Sequence, residues 1–385
     1  MASPKLRFKE FEGNWSKKRL DSFLERISNP VNVVGTQNYV QIGIRSHGKG
    51  IFHKESVTGK ELGNKRVFWV VPNALVVNIV FAWERAIAVT SDKENGLIAS
   101  HRFPMYAPKD GLSDVNFLRY MFITDKGQSY LEFASPGGAG RNKTLGQSNF
   151  AELKIDLPTA EEQTKIASFL SVVDERIGQL SQKHELLSQY KQGMMQKLFS
   201  QQIRFKADDG SEFGEWGSTC IGDVCKITTG NKDTQNKVDD GSYPFFVRSQ
   251  TVERINSFSM DTEAILTSGD GVGVGKNFHY IDGKFDFHQR VYCLYGFSEK
   301  MIGKYLYIYF SNYFYDRVKR LSAKNSVDSV RMDMISKMEI KFPCLEEQTK
   351  IANFLSAIDQ KIAGVAQQIE QTKQWKKGLL QQMFV

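Results

Sequence analysis

A segment of 39 residues occurs twice in this chain and restricts its fold more than any other feature. Residues 161–199 match residues 346–384 at a constant offset of 185, and 19 of the 39 positions are identical without a gap. A shorter repeat precedes each copy, because Arg7-Phe8-Lys9 with Trp15 recurs as Arg204-Phe205-Lys206 with Trp216. Self-similarity over this length indicates a duplicated structural unit. We therefore expect the chain to alternate a globular region and a repeated segment, twice.

Each repeated segment is predicted to form one long helix. Apolar residues recur at alternating steps of three and four, which is the heptad pattern of a coiled-coil seam. Thr159 and Glu162 have the spacing of a capping box, which predicts where the first helix starts. A seam requires a partner, so we expect the two helices to pair as an antiparallel coiled coil with pseudo-two-fold symmetry. The seam residues are Ile166, Leu170, Val173, Ile177 and Leu180 in the first copy and Ile351, Leu355, Ile358, Ile362 and Val365 in the second.

The regions between the helices are expected to be mixed α/β, because short apolar runs alternate in them with glycine-containing turns. The fold class is therefore α+β. Residues 1–158 and 201–343 form two mixed α/β domains, and residues 159–200 and 344–385 hold the two helices. A rod of this kind would present two similar domains to two half-sites on DNA. The same geometry would equally suit a scaffold that spaces two domains for protein partners.

Cysteine content and apolar runs bear on the compartment. The four cysteines include no CxxC pair, so reduced thiols in the cytoplasm are expected rather than a disulfide framework or a zinc site. The longest apolar stretch, residues 67–83, contains Pro72 and Asn78. It is shorter and more polar than a membrane span of about 20 residues. We find no secretory leader, and we expect a cytoplasmic protein without a membrane partner.

The net charge of +8 is unevenly distributed along the chain. Residues 1–158 hold an excess of 7 positive charges, whereas residues 201–343 are neutral. A basic excess favours a polyanionic partner, although it also simply promotes solubility. If both regions bind DNA, the second one must do so with a local basic patch.

Two basic, turn-rich loops are candidates for contact with phosphate. Each follows an apolar segment and leads into a strand that ends in proline, at Pro158 or Pro343. Backbone amides beside a cation suit a phosphate group, but an ordinary surface loop explains the same residues. The candidates are Arg141, Lys143 and Lys324.

Two arginines are candidates for contact with bases or phosphates. Arg102 and Arg290 are related by an offset of 188, and each precedes an alternating apolar run. His288 and Gln289 beside Arg290 add donors and acceptors suited to base edges. Both arginines could instead belong to structural ion pairs.

Sequence motifs for catalysis are missing. Residues 269–277 resemble a nucleotide-binding loop, but Asp270 and Asn277 replace the glycine and the hydroxyl residue that the Walker pattern requires. No Asn-Pro-Pro-Tyr or Asp-Pro-Pro-Tyr tetrapeptide for adenine methylation occurs. We therefore predict no catalytic residue, cofactor or metal in this chain. The rival hypothesis is a self-sufficient methyltransferase or nuclease.

The chain closely resembles the specificity subunit of type I restriction–modification enzymes. The resemblance rests on the two EEQTKIA–FLS–D helices that follow Pro158 and Pro343, and on the RFK and Trp openings. The stretches SYPFFVRSQTVERI and GKFDFHQRVY in the second globular region support it. The resemblance covers essentially the whole chain, and the duplicated helices are its specific part.

This resemblance implies a non-catalytic subunit that binds double-stranded DNA. Each target-recognition domain would read one half of a bipartite, asymmetric site, and the helices would set the gap between the halves. Two modification subunits, docked on the helices, would bring S-adenosylmethionine and methylate adenine. Restriction subunits would use ATP and magnesium. The resemblance fixes no base-reading residue, and the alternative is a two-domain coiled-coil adaptor without DNA specificity.

Overall fold

The computed structural model describes residues 3–137, 143–271, 273–321 and 329–384. The chain forms two compact units. Unit 1 comprises Met1–Gln182 with Ala366–Val385, and unit 2 comprises Lys183–Val365. The division falls inside the two repeated segments, so each unit contains part of both.

Unit 1 has the expected mixed α/β structure. Strands β4-β3-β8-β5 and β2-β9-β6-β7, in those orders, make two four-stranded sheets, and β1 pairs antiparallel with β10. Its largest core lies around α2, α3 and α4 and also takes in Ile166 and Leu170 of the long helix. The elements are β1 (Ser16–Arg19), β2 (Leu24–Ile27), β3 (Asn38–Ile44), β4 (Ile51–Thr58), α1 (Gly59–Leu62), β5 (Val67–Trp69), β6 (Leu75–Val77), β7 (Ile87–Val89), β8 (Ile98–Ser100), β9 (Met105–Pro108), α2 (Val115–Phe122), α3 (Asp125–Phe133), α4 (Gln147–Glu152), β10 (Lys154–Leu157) and α5 (Ala160–Phe199).

Unit 2 repeats this plan with a different sheet. Six strands pair in the order β12-β17-β15-β16-β13-β14, and β11 pairs with β18 as β1 does with β10. The main core joins α7 to Ile351 and Leu355. The elements are β11 (Gly217–Cys220), α6 (Ile221–Val224), β12 (Lys226–Thr229), β13 (Tyr243–Phe246), β14 (Val252–Ile255), β15 (Met260–Ser268), β16 (Phe278–Phe287), β17 (Val291–Tyr295), α7 (Gly303–Leu321), α8 (Met332–Ser336), β18 (Glu339–Phe342) and α9 (Leu345–Met383).

The residues that recur in the sequence form the same contact in both units. An arginine and a tryptophan of each domain bind one glutamate of the long helix, and we call this contact the clasp. In unit 1 Arg7 donates from Nε to the Glu162 carboxylate at 2.8 Å, and Trp15 Nε1 donates to the same group at 3.3 Å. The Arg7 pKa is raised by this hydrogen bond. The Glu162 side chain is 1% exposed. Removing one partner of a buried ion pair generally costs about 3–5 kcal/mol, so the clasp is a strong structural constraint.

The clasp of unit 2 uses the equivalent residues. Arg204 Nε donates to Glu347 at 3.1 Å and Trp216 Nε1 donates to it at 3.3 Å. The glutamine that follows each glutamate is fully buried and binds the proline carbonyl before the helix, at 3.0 Å in unit 1 and 2.9 Å in unit 2. The identical EEQ letters are therefore explained by attachment of the domain to the helix.

The predicted capping box at the start of α5 forms only in part. The Glu162 backbone N–H donates to Thr159 Oγ1 at 3.3 Å, as expected. The carboxylate does not serve the cap, because it accepts from Arg7 and Trp15 instead. The second hydrogen bond of a capping box, from the N-cap backbone to the Glu162 carboxylate, is therefore replaced by the bonds of the clasp.

Within each unit the two long helices run antiparallel. In unit 1 the first part of α5 contacts the last part of α9, where Lys376 is paired with Asp174. In unit 2 the equivalent pair, Lys191 Nζ and Asp359 Oδ1, lies at 2.6 Å. The predicted seam residues are buried, except that Ile177 and Ile362 are half-buried.

The mixed α/β fold with its tandem repeat is thus confirmed, whereas a coiled coil along the full helices stays a prediction. Among the described residues, no helix has both the length and the apolar character to cross a bilayer.

Candidate nucleic-acid interface

Unit 1 carries a basic cavity of about 530 Å³, which we call the basic cavity. It opens between strands β3, β4 and β5, the end of β6, and the turn that joins β8 to β9. Its described lining contains four basic or imidazole side chains and no carboxylate. The lining residues are Gln41, Lys54, Lys65, Val67, Asn78, Val80, Phe81, Ser100, His101, Arg102 and Phe103.

Arg102 lies at the rim of this cavity, in the turn between β8 and β9. Its side chain is exposed and forms no ion pair within the described residues. Lys65 also forms none, and Lys54 reaches only the Gln41 amide oxygen, at 3.4 Å. Three cations without a compensating carboxylate repel one another, so the cavity is suited to a negatively charged or acceptor-rich ligand.

Asn78 supplies a buried polar group on the cavity wall. The residue is 7% exposed, and its Oδ1 accepts from the Val80 backbone N–H at 3.1 Å. That bond fixes the orientation of the amide. Its Nδ2 has no hydrogen-bond partner among the residues that the structure describes, so the amide offers a free donor beside the cations.

The predicted phosphate loop of unit 1 is only partly within the described residues. Lys143 lies with its ammonium 5.9 Å from the Trp83 ring centroid, which is a cation–π distance. Arg141 lies outside the described residues. The loop's role in DNA contact stays a prediction.

In unit 2, two backbone hydrogen bonds and one from a side chain bring four loops together. Gln289 N donates to Lys232 O at 2.9 Å, and Gly269 N donates to Arg290 O at 2.8 Å. The Asn277 side chain donates to Arg248 O at 3.2 Å. Arg290 therefore shares one surface with Arg248, and Lys324 of the second predicted phosphate loop lies outside the described residues.

Asp270 sits between these two arginines. Its carboxylate lies 3.1 Å from Arg248 NH1 and 3.8 Å from Arg290 Nε. The Arg248 and Arg290 side chains are 45% and 66% exposed, so both guanidinium groups keep donors free for another molecule. Exposed ion pairs add little stability, so the main effect of Asp270 is to orient the two arginines.

His288 and Gln289 lie differently from Arg290. The His288 side chain is 3% exposed, and its Nδ1 accepts from the Arg290 backbone N–H at 2.9 Å. Burial lowers the pKa of His288, and the positive charge of Arg248 adds to the effect. Gln289 is exposed and donates to Asp233 at 3.2 Å. Of the predicted trio, Arg290 and Gln289 are exposed to solvent, whereas His288 is buried beneath the loop and hydrogen-bonds to its backbone.

A further exposed surface belongs to the helices. One face of α5 is formed by exposed and half-buried residues. Successive members of this face are three, four, seven or eleven residues apart, which are spacings that share a helix face. Seven of these residues are identical to the residues at the equivalent positions of α9, although none of the seven is buried in the core. We call this surface the repeated helix face; in α5 it consists of Thr164, Ser171, Gln182, Glu185, Gln189, Gly193 and Gln196.

The neighbouring exposed face of the same helices has diverged. Val172, Gln179 and Leu186 of α5 correspond to alanine, glycine and glutamine in α9. Identity between the copies is thus higher on the repeated helix face than beside it, although Glu175 and Gly178, which share its spacing, correspond to glutamine and alanine in α9.

Several of these residues were not predicted from the sequence. Lys54, Lys65 and Asn78 are far from Arg102 along the chain, and pairing of β3 and β5 with β8 brings them to one cavity. Arg248 could have been predicted as a candidate from the sequence. It follows a buried strand, and the two predicted arginines, Arg102 and Arg290, also lie beside strands.

Two unlike domains with exposed cations, each clasped to one copy of a duplicated helix, define a tandem two-domain protein. The sequence matches the profile of the family described as type I restriction modification DNA specificity domain, over residues 15–189 and 214–374. These two matches cover most of the chain. The protein therefore belongs to the family of type I restriction–modification specificity subunits.

Curated relatives carry the same description. The chain is 28% identical over 170 residues to the EcoDI specificity subunit of Escherichia coli, covering 43% of this chain and 36% of that protein. It is 29% identical over 260 residues to the MjaVIII specificity subunit of Methanocaldococcus jannaschii, covering 60% and 61%. These matches span from about a third to three fifths of the length of the relatives.

Solved structures share the fold. The S subunit of a type I system from M. genitalium superposes with a TM-score of 0.70 at 16% identity, covering 100% of this chain and 99% of that one. A chain from a study of complex assembly and conformational transition of the type I system gives 0.55 at 17% identity, covering 96% and 97%. At these identities the likeness establishes the fold.

Proposed function

We propose that this chain reads a bipartite, asymmetric DNA site, one half with each globular domain. The observation that carries the proposal is that equivalent clasps hold domains with different cationic surfaces. The described lining of the basic cavity in unit 1 offers Lys54, Lys65 and Arg102 and no carboxylate, whereas unit 2 offers Arg248 and Arg290 around Asp270. Equivalent attachment with unlike surfaces suits two different half-sites.

The chain acts without catalysis of its own. Adenine methylation, with S-adenosylmethionine, belongs to modification subunits, and ATP-dependent cleavage with magnesium belongs to restriction subunits. The missing catalytic motifs and the family membership support this division of labour.

The repeated helix face is the docking surface for the modification subunits. A surface that occurs twice at equivalent positions suits two copies of one partner, because each copy meets the same side chains. Its glutamines and glutamate offer hydrogen bonds to a polar helix, and Gly193 and Gly378 allow close approach. Two modification subunits are therefore expected for each chain.

The deciding experiment replaces residues 1–158 with the matching region of another family member. We expect cells that carry the hybrid, with its partner subunits, to methylate a site in which one half has changed and the other has not. Methylome sequencing reads both halves and the gap at once. Replacing residues 201–343 is the matched control, and it should change the other half.

The rival hypotheses give different results. A coiled-coil adaptor predicts that neither half-site changes and that the assembled complex binds DNA without a steep salt dependence. A self-sufficient methyltransferase predicts methyl transfer by the purified chain with S-adenosylmethionine and DNA alone.

A further inference from the structure

We propose that the basic cavity of unit 1 reads a guanine through its major-groove edge, with Arg102 as the principal reader and Asn78 as a second donor. The inference rests on the proposed function, since it names the base for one domain. It follows from which hydrogen-bonding groups of the cavity remain free.

The free groups of the cavity are mainly donors. Arg102 and Lys65 have donors only, and neither has a side-chain partner among the described residues. Asn78 has its oxygen engaged by Val80 N and its Nδ2 free. The Gln41 oxygen accepts from Lys54, and Ser100 Oγ accepts from the Arg102 backbone N–H at 3.3 Å. The side-chain oxygens of Gln41, Asn78 and Ser100 thus each accept one hydrogen bond inside the protein, and the exposed His101 ring adds both a donor and an acceptor to the lining.

A surface whose free groups are mainly donors distinguishes the bases. In the major groove guanine presents two adjacent acceptors, N7 and O6, whereas adenine and cytosine each present a donor amine. Thymine presents one acceptor beside a methyl group. Arginine matches the paired acceptors of guanine with two parallel donors, which is the commonest specific contact between proteins and DNA. Guanine is therefore the base that the lining satisfies without leaving a donor facing a donor.

The walls of the cavity strengthen this selection. Val67, Val80 and Phe103 line it between the polar groups. Apolar walls reduce competition from water, so each hydrogen bond made there discriminates more strongly. Lys54 and Lys65 stand beside the readers and are placed to neutralise neighbouring phosphates.

The test compares Arg102→Ala and Asn78→Asp with the parent chain, each assembled with its partner subunits. Arg102 has no side-chain partner in the described structure, so its removal should leave the fold intact. Asn78→Asp keeps the acceptor for Val80 N and replaces the free donor with an acceptor. Lys93→Ala is the control, because it removes an exposed cation that does not line the cavity.

We expect methylome sequencing of the parent to show a guanine in one half-site. Arg102→Ala should relax that single position by about 5- to 150-fold, the discrimination of one good arginine–guanine contact. Asn78→Asp should weaken the same position, and Lys93→Ala should change none. Lys54→Ala with Lys65→Ala should instead lower affinity for every sequence and reduce the salt dependence of binding.

Three results would overturn the inference while leaving DNA reading by this domain intact. Arg102→Ala could weaken all sequences equally, which would make it a phosphate contact. It could leave both binding and specificity unchanged, which would place the cavity away from DNA. Finally, the half-site that changes on replacement of residues 1–158 could contain no guanine on either strand. Failure of the proposed function itself would appear separately, as a replacement that changes neither half-site.

Discussion

At the scale of single residues, the loop that carries Arg290 is held by a hydrogen bond to the buried His288 ring. The His288 imidazole accepts the Arg290 backbone N–H and is surrounded by Arg248, Arg290, Asp233 and Asp270. Only the neutral ring can accept this bond at Nδ1, because the protonated ring carries a hydrogen there. The shape of the reading loop is therefore tied to a neutral histidine.

Acid should destabilise unit 2 through His288. Its pKa is lowered by burial, so the unfolded chain, with a histidine pKa of about 6.5, binds the proton more readily. The stabilisation is complete above about pH 6.5 and is lost as pH falls toward the lowered value. His288→Asn keeps an acceptor without this titration, so urea midpoints of parent and variant should diverge as pH falls from about 7 to about 5.

The control for this experiment is His101→Asn, which alters an exposed histidine of unit 1. His101 lies in the other unit, so its replacement should leave the urea unfolding of unit 2 as it is in the parent. If His288→Asn also parallels the parent, another group causes the acid sensitivity and His288 is not the support we describe.

His288 is also an example of a contact that could not be predicted from the sequence. The letters His288-Gln289-Arg290 predicted three neighbours that contact DNA, but a tight turn between two strands sends the first side chain into the protein. Arg102 could be named as a candidate because it lies beside a strand in its own segment. Lys54, Lys65 and Asn78 were not, since only long-range strand pairing makes them neighbours. The heptad seam, in contrast, is a local pattern, and all of its predicted residues are buried except Ile177 and Ile362, which are half-buried.

At the scale of elements, the long helices contain buried seam residues and also two equivalent glycines that packing within the chain does not require. Gly193 and Gly378 are equivalent, and a Cβ at either would meet nothing within 4 Å. Glycine within a helix costs roughly 1 kcal/mol relative to alanine. Its presence at both positions fits a surface that a partner approaches closely.

Gly193→Ala and Gly378→Ala should therefore separate folding from assembly. Each should stabilise the free chain by about 0.5–1 kcal/mol in chemical unfolding. Each should weaken binding of a modification subunit, measured by titration calorimetry with the purified partner.

Gly364→Ala is a matched control on the diverged face of α9, where a Cβ also meets nothing within 4 Å. It should give the same stabilisation without affecting assembly. Equal binding by all three variants would remove the repeated helix face as the docking surface.

At the scale of the whole molecule, both units take part of both helices. If the helices set the gap between half-sites, their length should control it. Removing one heptad from each, residues 180–186 and 365–371, shortens each helix by about 10 Å, the rise of about three base pairs. Methylome sequencing should then show a gap about three base pairs shorter with both half-sites unchanged.

The matched control replaces the same residues with a heptad of equal length, and it should keep the gap. A deletion that alters the half-sites themselves, or that leaves the gap unchanged, would contradict the assignment of the helices as the spacer.

Unit 1 combines two stretches that lie before and after unit 2 in the sequence, whereas unit 2 is one continuous stretch. On the ribosome, unit 2 is fully synthesised while unit 1 still lacks Leu379 and Met383 of its core. At about 5–20 residues per second, the first domain waits many seconds with part of its apolar surface uncovered. The core of unit 1 is therefore completed only after unit 2 has been synthesised, and chains halted before Leu379 should be prone to aggregation and degradation.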